Sequence, residues 1–382
     1  MMPGNKNLET LTRSGIRVFT NLAKATPDCR MLTIGEPDLP TPEPIKLAAM
    51  KALEENQTHY APNQGTLPLR TAIAAFETAR GRTTAPEEVL VTVGATQAIY
   101  TALTGILNPG DQVIIPTPAF SLYDTITTAA GAESVFLDVS KTDFQITPQG
   151  LADCLTEKTR AIVLNSPCNP TGVILNRESL DAVKEVLKDR DMYLICDNVY
   201  NQLVYGQCED LSLDEELKDK TILCQSFSKP YAMTGWRMGY LLSDASVKER
   251  LELVHQFMVV STPAPFQSAC MQALECDISP MLETYRTRRD YVLRRLGQMH
   301  LPVHVPEGAF YVFPSIREFG LSSAEFCRRM IREAGLAATP GSCFGAEGYI
   351  RLTYCYSGEE LRQGLDRLEQ FVRVLRGKGD LQ

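Results

Sequence analysis

One lysine in this sequence lies in a setting that suits covalent chemistry. Lys229 belongs to the string SFSKPYAMTGWRMGY and follows the apolar run Thr221–Cys224. If that run is a buried strand, the lysine is buried in part as well, and burial lowers the pKa of an ammonium group. The neutral amine that results is a nucleophile. The short string Ser-x-Ser-Lys is also typical of a surface lysine beside loop serines, and only the longer string favours the chemical interpretation.

A nucleophilic lysine requires an electrophile, and an aldehyde cofactor supplies one. A neutral amine attacks an aldehyde to give a Schiff base, and pyridoxal 5′-phosphate is the aldehyde that best fits an α/β enzyme. Its phosphate dianion needs several hydrogen-bond donors. Ser226 and Ser228 offer hydroxyl groups, and Arg237 offers a planar guanidinium fork eight positions after the lysine. The sequence therefore predicts a pyridoxal phosphate site around Lys229.

A carboxylate at the end of a second apolar run is suited to the same cofactor. Asp197 follows Tyr193–Cys196, which has the composition of a buried strand. A pyridine ring accepts electrons well only while its nitrogen is protonated, and a carboxylate in a low-dielectric site keeps it protonated. Ligands of parallel sheets bind at the carboxyl ends of the strands, where we expect Asp197 to lie. Taken alone, an aspartate after a strand is more often a helix cap or a turn residue.

A glycine between a strand and a helix offers a place for the phosphate. Gly94, Ala95 and Thr96 follow the apolar run Val89–Val93 and precede a helical pattern. Backbone N–H groups at a helix N-terminus, together with the Thr96 hydroxyl, can hold a phosphate. Such a junction is often only a tight turn, so this prediction depends on the lysine and arginine described above.

An arginine also lies inside an apolar run, at Arg351 in the string IRLTY. A buried guanidinium is costly unless it is paired with an anion. The sequence therefore predicts that an anion binds at Arg351.

The composition is that of a folded, mildly acidic protein. The 382 residues include 38 Lys and Arg against 46 Asp and Glu, a formal net charge of −8, and 44% of them are hydrophobic. This content suffices for a large core and argues against disorder. The positive charges form no block that would follow a nucleic-acid backbone, and no run approaches the roughly 18–20 apolar residues of a membrane span. We expect no binding to nucleic acid and no membrane segment.

The cysteines indicate a reducing compartment, and the histidines do not indicate a metal site. The eleven cysteines are scattered singly, without a CxxC pair, and several lie in apolar runs. Buried free thiols in a reducing compartment fit this pattern, so we expect a cytoplasmic protein. The four histidines are dispersed, and Pro302 between His300 and His304 disfavours a shared helical face. We expect no metal site.

The elements that must position these residues alternate along the chain. Short β-branched runs, among them Gln112–Pro116 and Ala161–Leu164, alternate with amphipathic helical segments such as Ala98–Leu107 and Arg177–Lys188. This alternation predicts an α/β fold with a mostly parallel sheet covered by helices on both faces. Long charged helical stretches in the last third predict a smaller α+β domain. We expect an N-terminal arm with part of the small domain at 1–40, a large cofactor-binding domain at 41–275 and a C-terminal small domain at 276–382.

The longer motifs together resemble those of a known enzyme family. From LTIGEPD at Leu32–Asp38 through SFSK to Arg351, the sequence resembles the fold-type I pyridoxal-phosphate aminotransferases of class I and II, over nearly the whole chain. Within the family it is similar to the bacterial aminotransferase A group, associated with N-acetyl-diaminopimelate, at Ser14–Ala25 (SGIRVFTNLAKA) and Pro306–Ile316 (PEGAFYVFPSI). The resemblance implies the transferase fold of type I and the cofactor pyridoxal 5′-phosphate.

The resemblance also implies roles for single residues. Tyr200 matches the family's phenol that hydrogen-bonds the ring oxygen of the cofactor, and Asn169 in Asn-Pro-Thr-Gly matches its amide partner. Phe120 matches the aromatic residue that stacks on the pyridine face, although a core phenylalanine would give the same pattern. The anion at Arg351 is implied to be the substrate α-carboxylate, with Asn169 and the Gly35 backbone nearby.

Two further implications concern the subunit arrangement and the substrate. Tyr60 matches a tyrosine that reaches the phosphate of the neighbouring subunit, which implies a homodimer with shared active sites. Ile16 on the N-terminal arm, Thr96 and Phe120 offer an apolar and neutral surface for the substrate side chain. The aspartate-specific branch of the family tends to carry, at the position of Thr96, a lysine that binds the side-chain carboxylate of the substrate. Its absence implies neutral, long or aromatic donors, including N-acyl diamino acids, although Arg17 could replace that lysine.

The implied reaction is transamination. An amino acid gives its amino group to the cofactor, a second 2-oxo acid takes it up in a ping-pong cycle, and Lys229 moves the proton. A pyridoxal-dependent C–S β-lyase, which shares the scaffold and most of the motifs, is the alternative reaction. The ligand-sensing half of a transcription regulator is an alternative of another class. Such regulators carry an N-terminal DNA-binding domain, and we expect the segment before Gly35 to be too short for one.

Overall fold

The computed structural model of the protein describes residues 4–11 and 13–379, in which helices and strands alternate as predicted. The α-helices are α1 Gly15–Lys24, α2 Glu43–Glu54, α3 Leu67–Ala79, α4 Gly94–Ile106, α5 Leu122–Ala129, α6 Pro148–Cys154, α7 Arg177–Lys188, α8 Ala245–Val259, α9 Ala264–Leu274, α10 Ser279–Gln298, α11 Ser323–Ala334 and α12 Gly358–Gly379. The strands are β1 Arg30–Met31, β2 Val89–Thr92, β3 Gln112–Thr117, β4 Glu133–Asp138, β5 Thr159–Leu164, β6 Tyr193–Asp197, β7 Thr221–Ser226, β8 Gly239–Leu242, β9 Tyr311–Val312, β10 Leu336–Ala337, β11 Thr339–Pro340 and β12 Ile350–Thr353. None of these helices is long and apolar enough to cross a membrane.

A seven-stranded sheet forms the centre of the larger part of the molecule. Its strands lie in the order β2-β8-β7-β6-β5-β3-β4. Strand β8 is antiparallel to β2 and β7, and the other neighbours are parallel. The strands β2, β7 and β8 are buried along their whole length, because helices cover both faces of the sheet. This is the mostly parallel α/β architecture that the sequence predicts.

The parallel strands bring the predicted chemical residues to one edge of the sheet. Asp197 is the last residue of β6, and Lys229 follows closely after the end of β7. Gly94 begins α4 directly after β2, as the sequence predicts. Since parallel strands point the same way, their carboxyl ends lie along one edge, and the loops that follow them meet there.

A smaller α+β part packs around the sheet β11-β12-β9. Its core joins buried side chains of α10, α11 and α12 to Phe19, Ala23 and Leu32 from the N-terminal region. The short strand β1 also pairs with β10. The N-terminal segment therefore packs on the last third of the chain, and the division at residues 40 and 275 stays a prediction.

Candidate active site

A cavity of about 530 Å³ lies at the carboxyl edge of the large sheet, where α1 and β12 approach it. Except for Tyr60, all of the predicted site residues line it: Ile16, Gly35, Ala95, Thr96, Phe120, Asn169, Asp197, Tyr200, Ser226, Ser228, Lys229, Arg237 and Arg351. Tyr60 lies outside the cavity and is 86% exposed in the single chain. The residues chosen from separate motifs therefore converge on one site.

Lys229 extends its amine to the backbone of the N-terminal segment. Nζ donates a hydrogen bond of 2.7 Å to the Gly35 carbonyl oxygen and lies 5.9 Å from the centre of the Phe310 ring. Burial lowers the pKa of this half-buried lysine to about 8, although nearby Cys355 acts in the opposite direction. A Cβ at Gly35 would clash with the Tyr311 hydroxyl, so glycine lets the backbone pass this close to Tyr311.

Asp197 is a buried carboxylate with its own hydrogen-bond donors. The Tyr123 hydroxyl donates to Oδ2 at 2.6 Å, and the Val199 N–H donates to Oδ1 at 3.4 Å. Asn165 Nδ2 donates to the Asp197 backbone oxygen at 2.8 Å. Burial raises the pKa of Asp197 to about 6, while Tyr123, Val199 and the positive charge of Lys229 act to lower it. The group is therefore mainly ionised at neutral pH, and a cation in the cavity would stabilise that form further.

A cluster of hydrogen-bond donors forms beside the start of α4. Ala95 and Thr96 line the cavity in the first turn of this helix, where unpaired N–H groups carry partial positive charge. Arg237 donates from Nη1 to the Thr234 carbonyl oxygen at 2.7 Å, which fixes the guanidinium there. A Cβ at Gly94, whose φ is +74°, would lie 2.6 Å from Arg237 Nη2. Glycine at this position therefore lets the arginine approach the helix N-terminus, and the two together suit an anion.

Two serines and two aromatic residues complete the predicted cofactor set. Ser226 and Ser228 are buried, and the Ser228 N–H donates to Ser226 Oγ at 3.0 Å. Phe120 is half-buried at the cavity wall. The Tyr200 and Tyr311 hydroxyls share a hydrogen bond of 2.7 Å, and burial raises the pKa of Tyr200 well above its usual value. Tyr200 is therefore a neutral hydrogen-bonding group.

Arg351 presents a rigid guanidinium at the small-sheet side of the cavity. The side chain is only 2% exposed and lies between the Tyr311 and Phe344 rings, with Cζ 4.6 and 4.8 Å from their centres. Nη1 donates to Asn169 Oδ1 at 2.7 Å and Nη2 to the Thr33 carbonyl oxygen at 2.5 Å. Among the described residues, buried Nε has no partner. Since the partners are neutral, the positive charge remains available to an anion.

Helix α1 forms the remaining wall. Buried Thr20 and half-buried Ile16 line the cavity, and so do the exposed residues Arg17, Asn21 and Lys24. Ile16, which the sequence predicts to face the substrate side chain, therefore lies in the site. Arg17, predicted as a possible replacement for the lysine of the aspartate-specific branch, lines the same wall.

Among the cavity residues that the sequence did not predict, Tyr123, Asn165 and Tyr311 form hydrogen bonds with predicted site residues. Asn165 also accepts, through Oδ1, the Asn169 N–H at 2.8 Å, so one amide side chain joins the loop after β5 to Asp197. Two signals were available. Tyr123 is in the same string as Phe120, and both Tyr123 and Tyr311 carry a hydroxyl into an apolar environment, which needs a polar partner.

Comparisons with known proteins agree with this geometry. Residues 27–368 match the family described as aminotransferase class I and II. The chain is 40% identical over 375 residues to the probable N-acetyl-LL-diaminopimelate aminotransferase of Bacillus subtilis, covering 96% of this chain and 95% of that protein. It is 36% identical to the aspartate aminotransferase of Pyrococcus abyssi, covering 97% and 99%. The solved aspartate aminotransferase of Thermotoga maritima matches with a TM-score of 0.92 and 35% identity, covering 97% of this chain and 100% of that one.

The chain belongs to the class I and II aminotransferase family. The predicted transferase fold of type I and the predicted enzyme class are thereby confirmed: the protein is an aminotransferase, which moves an amino group between an amino acid and a 2-oxo acid. The family depends on pyridoxal phosphate. The names of the relatives differ in the amino acid, so membership alone does not select the substrate.

Proposed function

We propose that the cavity binds pyridoxal 5′-phosphate through a Schiff base to Lys229 and uses it for transamination. The observation that carries this proposal is that Lys229 Nζ and the Asp197 carboxylate line one cavity at the ends of neighbouring strands. Burial lowers the pKa of Lys229 and raises the pKa of Asp197. When bound, the cofactor supplies an electron sink for the substrate and holds the amino group between the two half-reactions.

The donors and acceptors of the cavity fit the groups of this cofactor. The start of α4 with Arg237 suits a phosphate dianion, and buried Ser226 and Ser228 offer further hydroxyl groups. The Asp197 carboxylate suits a protonated ring nitrogen, since Tyr123 fixes one of its oxygens. Tyr200 and Asn169 are proposed to contact the ring oxygen, and Phe120 to cover the ring face.

Lys229 is proposed to be both the attachment point and the group that moves the proton. A pKa of about 8 leaves part of the amine neutral at physiological pH, which nucleophilic attack requires. A base whose pKa is near the working pH can both take and return a proton at the substrate α-carbon. The Gly35 carbonyl oxygen accepts a hydrogen bond of 2.7 Å from Nζ and so holds the amine within the cavity.

Arg351 is proposed to bind the α-carboxylate of every substrate. Asn169 and the aromatic rings on both sides hold the guanidinium plane in one orientation. A fixed plane favours bidentate binding of a carboxylate and so fixes the substrate Cα relative to Lys229.

For the amino donor we propose neutral, long or aromatic amino acids, including N-acyl diamino acids, in preference to aspartate. Ile16 and Phe120 give the cavity wall apolar surface, and Thr96 adds neutral surface. The name of the Bacillus subtilis relative also includes an N-acyl diamino acid.

We further propose a cytoplasmic homodimer with shared sites. Tyr60 is almost fully exposed, and large apolar side chains are exposed on α2, at Leu47, Met50 and Leu53, and at Phe257 on α8. Exposed apolar surface of this kind is typical of a protein interface. All eleven cysteines are free, which suits a reducing compartment.

A half-reaction screen tests the proposed function. Purified holoprotein is mixed with single amino acids, and loss of the Schiff-base absorbance of the bound cofactor is followed together with formation of the 2-oxo acid. We expect conversion without any acceptor, and no conversion in Lys229→Ala protein. Release of pyruvate and ammonia from cystathionine or cysteine, with no donor converting the cofactor, would instead establish a β-lyase.

A further inference from the structure

The backbone of the segment Thr33–Glu36 accepts hydrogen bonds from two cations of the proposed reaction. The Thr33 carbonyl oxygen accepts from Arg351 Nη2 at 2.5 Å, and the Gly35 carbonyl oxygen accepts from Lys229 Nζ at 2.7 Å. Carbonyls two residues apart point the same way in extended backbone, which is the arrangement here. The position of this segment therefore affects where the guanidinium and the amine lie in the cavity.

The carbonyls of the other two residues lie against one buried thiol. Cys355 Sγ is 3.1 Å from the Glu36 carbonyl oxygen and 3.7 Å from the Ile34 carbonyl oxygen. A thiol has one proton and donates to one acceptor at a time, and the shorter distance favours Glu36. Thr353 Oγ1, 3.0 Å from Sγ, also pairs with the thiol. Successive carbonyls of the segment therefore alternate between the cavity cations and Cys355.

Backbone hydrogen bonds join the two ends of the segment to the same stretch of chain. The Thr353 N–H donates to the Leu32 carbonyl oxygen at 3.1 Å, and the Asp38 N–H donates to the Cys355 carbonyl oxygen at 3.1 Å. Between these two bonds, the Cys355 thiol is the side-chain donor that reaches the segment from this stretch. Cys355 is 0% exposed, and an apolar side chain there would leave the Glu36 carbonyl without this donor.

We propose that Cys355 is a positioning residue, whose thiol holds this segment in place for the two cations. It thereby keeps the Gly35 carbonyl at the Lys229 amine whenever that amine is free. It also keeps the Thr33 carbonyl at Arg351. This inference rests on the proposed function and deepens it. Cys355 itself does not line the cavity, so it acts only through the segment. Serine at position 355 can still donate a hydrogen bond, whereas alanine cannot.

The test follows the attachment of pyridoxal phosphate to the cofactor-free full-length chain, through the absorbance of the Schiff base. The pH is kept well above the Lys229 pKa of about 8, so that the amine is neutral in every variant. The rate constant should fall about two- to tenfold in Cys355→Ala protein, as for one lost neutral hydrogen bond, and recover in Cys355→Ser protein. In the loaded Cys355→Ala protein, half-reaction kcat should fall through Lys229, and KM should rise through Arg351.

Cys327→Ala is the matched control, since it removes the same atom from a fully buried thiol in the same core, away from the segment. Urea unfolding compares the stability of the variants, and the control should change neither the attachment rate nor the half-reaction. Equal losses in Cys355→Ala and Cys327→Ala protein, or no recovery with serine, would show a packing role and overturn the inference. Unchanged rates and KM in Cys355→Ala protein would overturn it too and leave the proposed function intact. If the wild-type chain forms no Schiff base with pyridoxal phosphate, both proposals fail.

Discussion

Replacing Arg351 by lysine should weaken donor and acceptor binding alike. Both substrates of a transaminase carry an α-carboxylate, and Arg351 is the proposed site for it in both half-reactions. Lysine keeps the charge but not the planar fork. The three N–H donors of an ammonium lie on one nitrogen, whereas the guanidinium reaches Asn169 Oδ1 and the Thr33 carbonyl oxygen at 2.7 and 2.5 Å from two nitrogens and keeps further N–H groups for a substrate.

The size of the effect follows from the hydrogen bonds lost. A hydrogen bond between charged partners contributes about 1.5–3 kcal/mol, and the ammonium replaces a two-bond contact with one bond. Losing one such bond lowers kcat/KM about 10- to 150-fold, since about 1.4 kcal/mol is a factor of ten. The α-carboxylate does not react, so it is bound equally in the ground and transition states. The loss should therefore fall mainly on KM.

Single-turnover measurements of each half-reaction provide the assay, with urea unfolding to check that Arg351→Lys protein is folded. Arg317→Lys is the control, because Arg317 also lies over an aromatic ring, 4.7 Å from the centre of Tyr349, but outside the cavity lining. It should leave both half-reactions unchanged. The reasoning is refuted if only one half-reaction of Arg351→Lys responds, or if kcat falls while KM stays constant.

Three further outcomes are expected. Asp197→Ala should fold normally but slow the half-reaction by about 100-fold or more in stopped flow, since the ring nitrogen loses its buried carboxylate partner; a near wild-type rate would exclude that role. Mixing Tyr60→Phe with Lys229→Ala protein should give hybrid dimers with one unaltered site, detected as a fraction of sites with wild-type cofactor affinity. A monomer in sedimentation at micromolar concentration would contradict the shared site. Among donors, kcat/KM for aspartate should be lower than for the best neutral or N-acylated amino acid, and the donor proposal fails if aspartate exceeds them all.

The central sheet is largely predictable because its strands are buried on both faces. The apolar runs predicted for β6 and β7 differ from the observed strands by at most two residues, and α7 has the predicted bounds. A strand that is buried on both faces has a continuous apolar run, and a helix with one buried face has a helical period of apolar residues, so both can be recognised in the sequence. The sequence prediction omits β4 and β8. Strand β4 is at the edge of the sheet with several exposed residues, and β8 is a four-residue strand that begins at the end of a motif chosen for its chemistry.

The candidate site is predictable where a residue follows a strand, as Asp197 and Lys229 do. Local sequence does not contain the contacts that tune these residues. Tyr123 and Asp197 are 74 positions apart, and Tyr200 and Tyr311 are 111 apart, so only the fold shows that their side chains meet. The same holds for α1, whose approach to the cavity depends on packing against the last third of the chain.

Borohydride reduction of the holoprotein, followed by peptide mapping, tests the central claim most directly. Reduction converts the Schiff base into a stable pyridoxyl group on the lysine that carried it. We expect this group on the peptide that contains Lys229, one per chain, and no reducible linkage in Lys229→Ala protein. Mapping of the group in the wild-type protein to another lysine, such as Lys24 in the same cavity wall, would contradict the account.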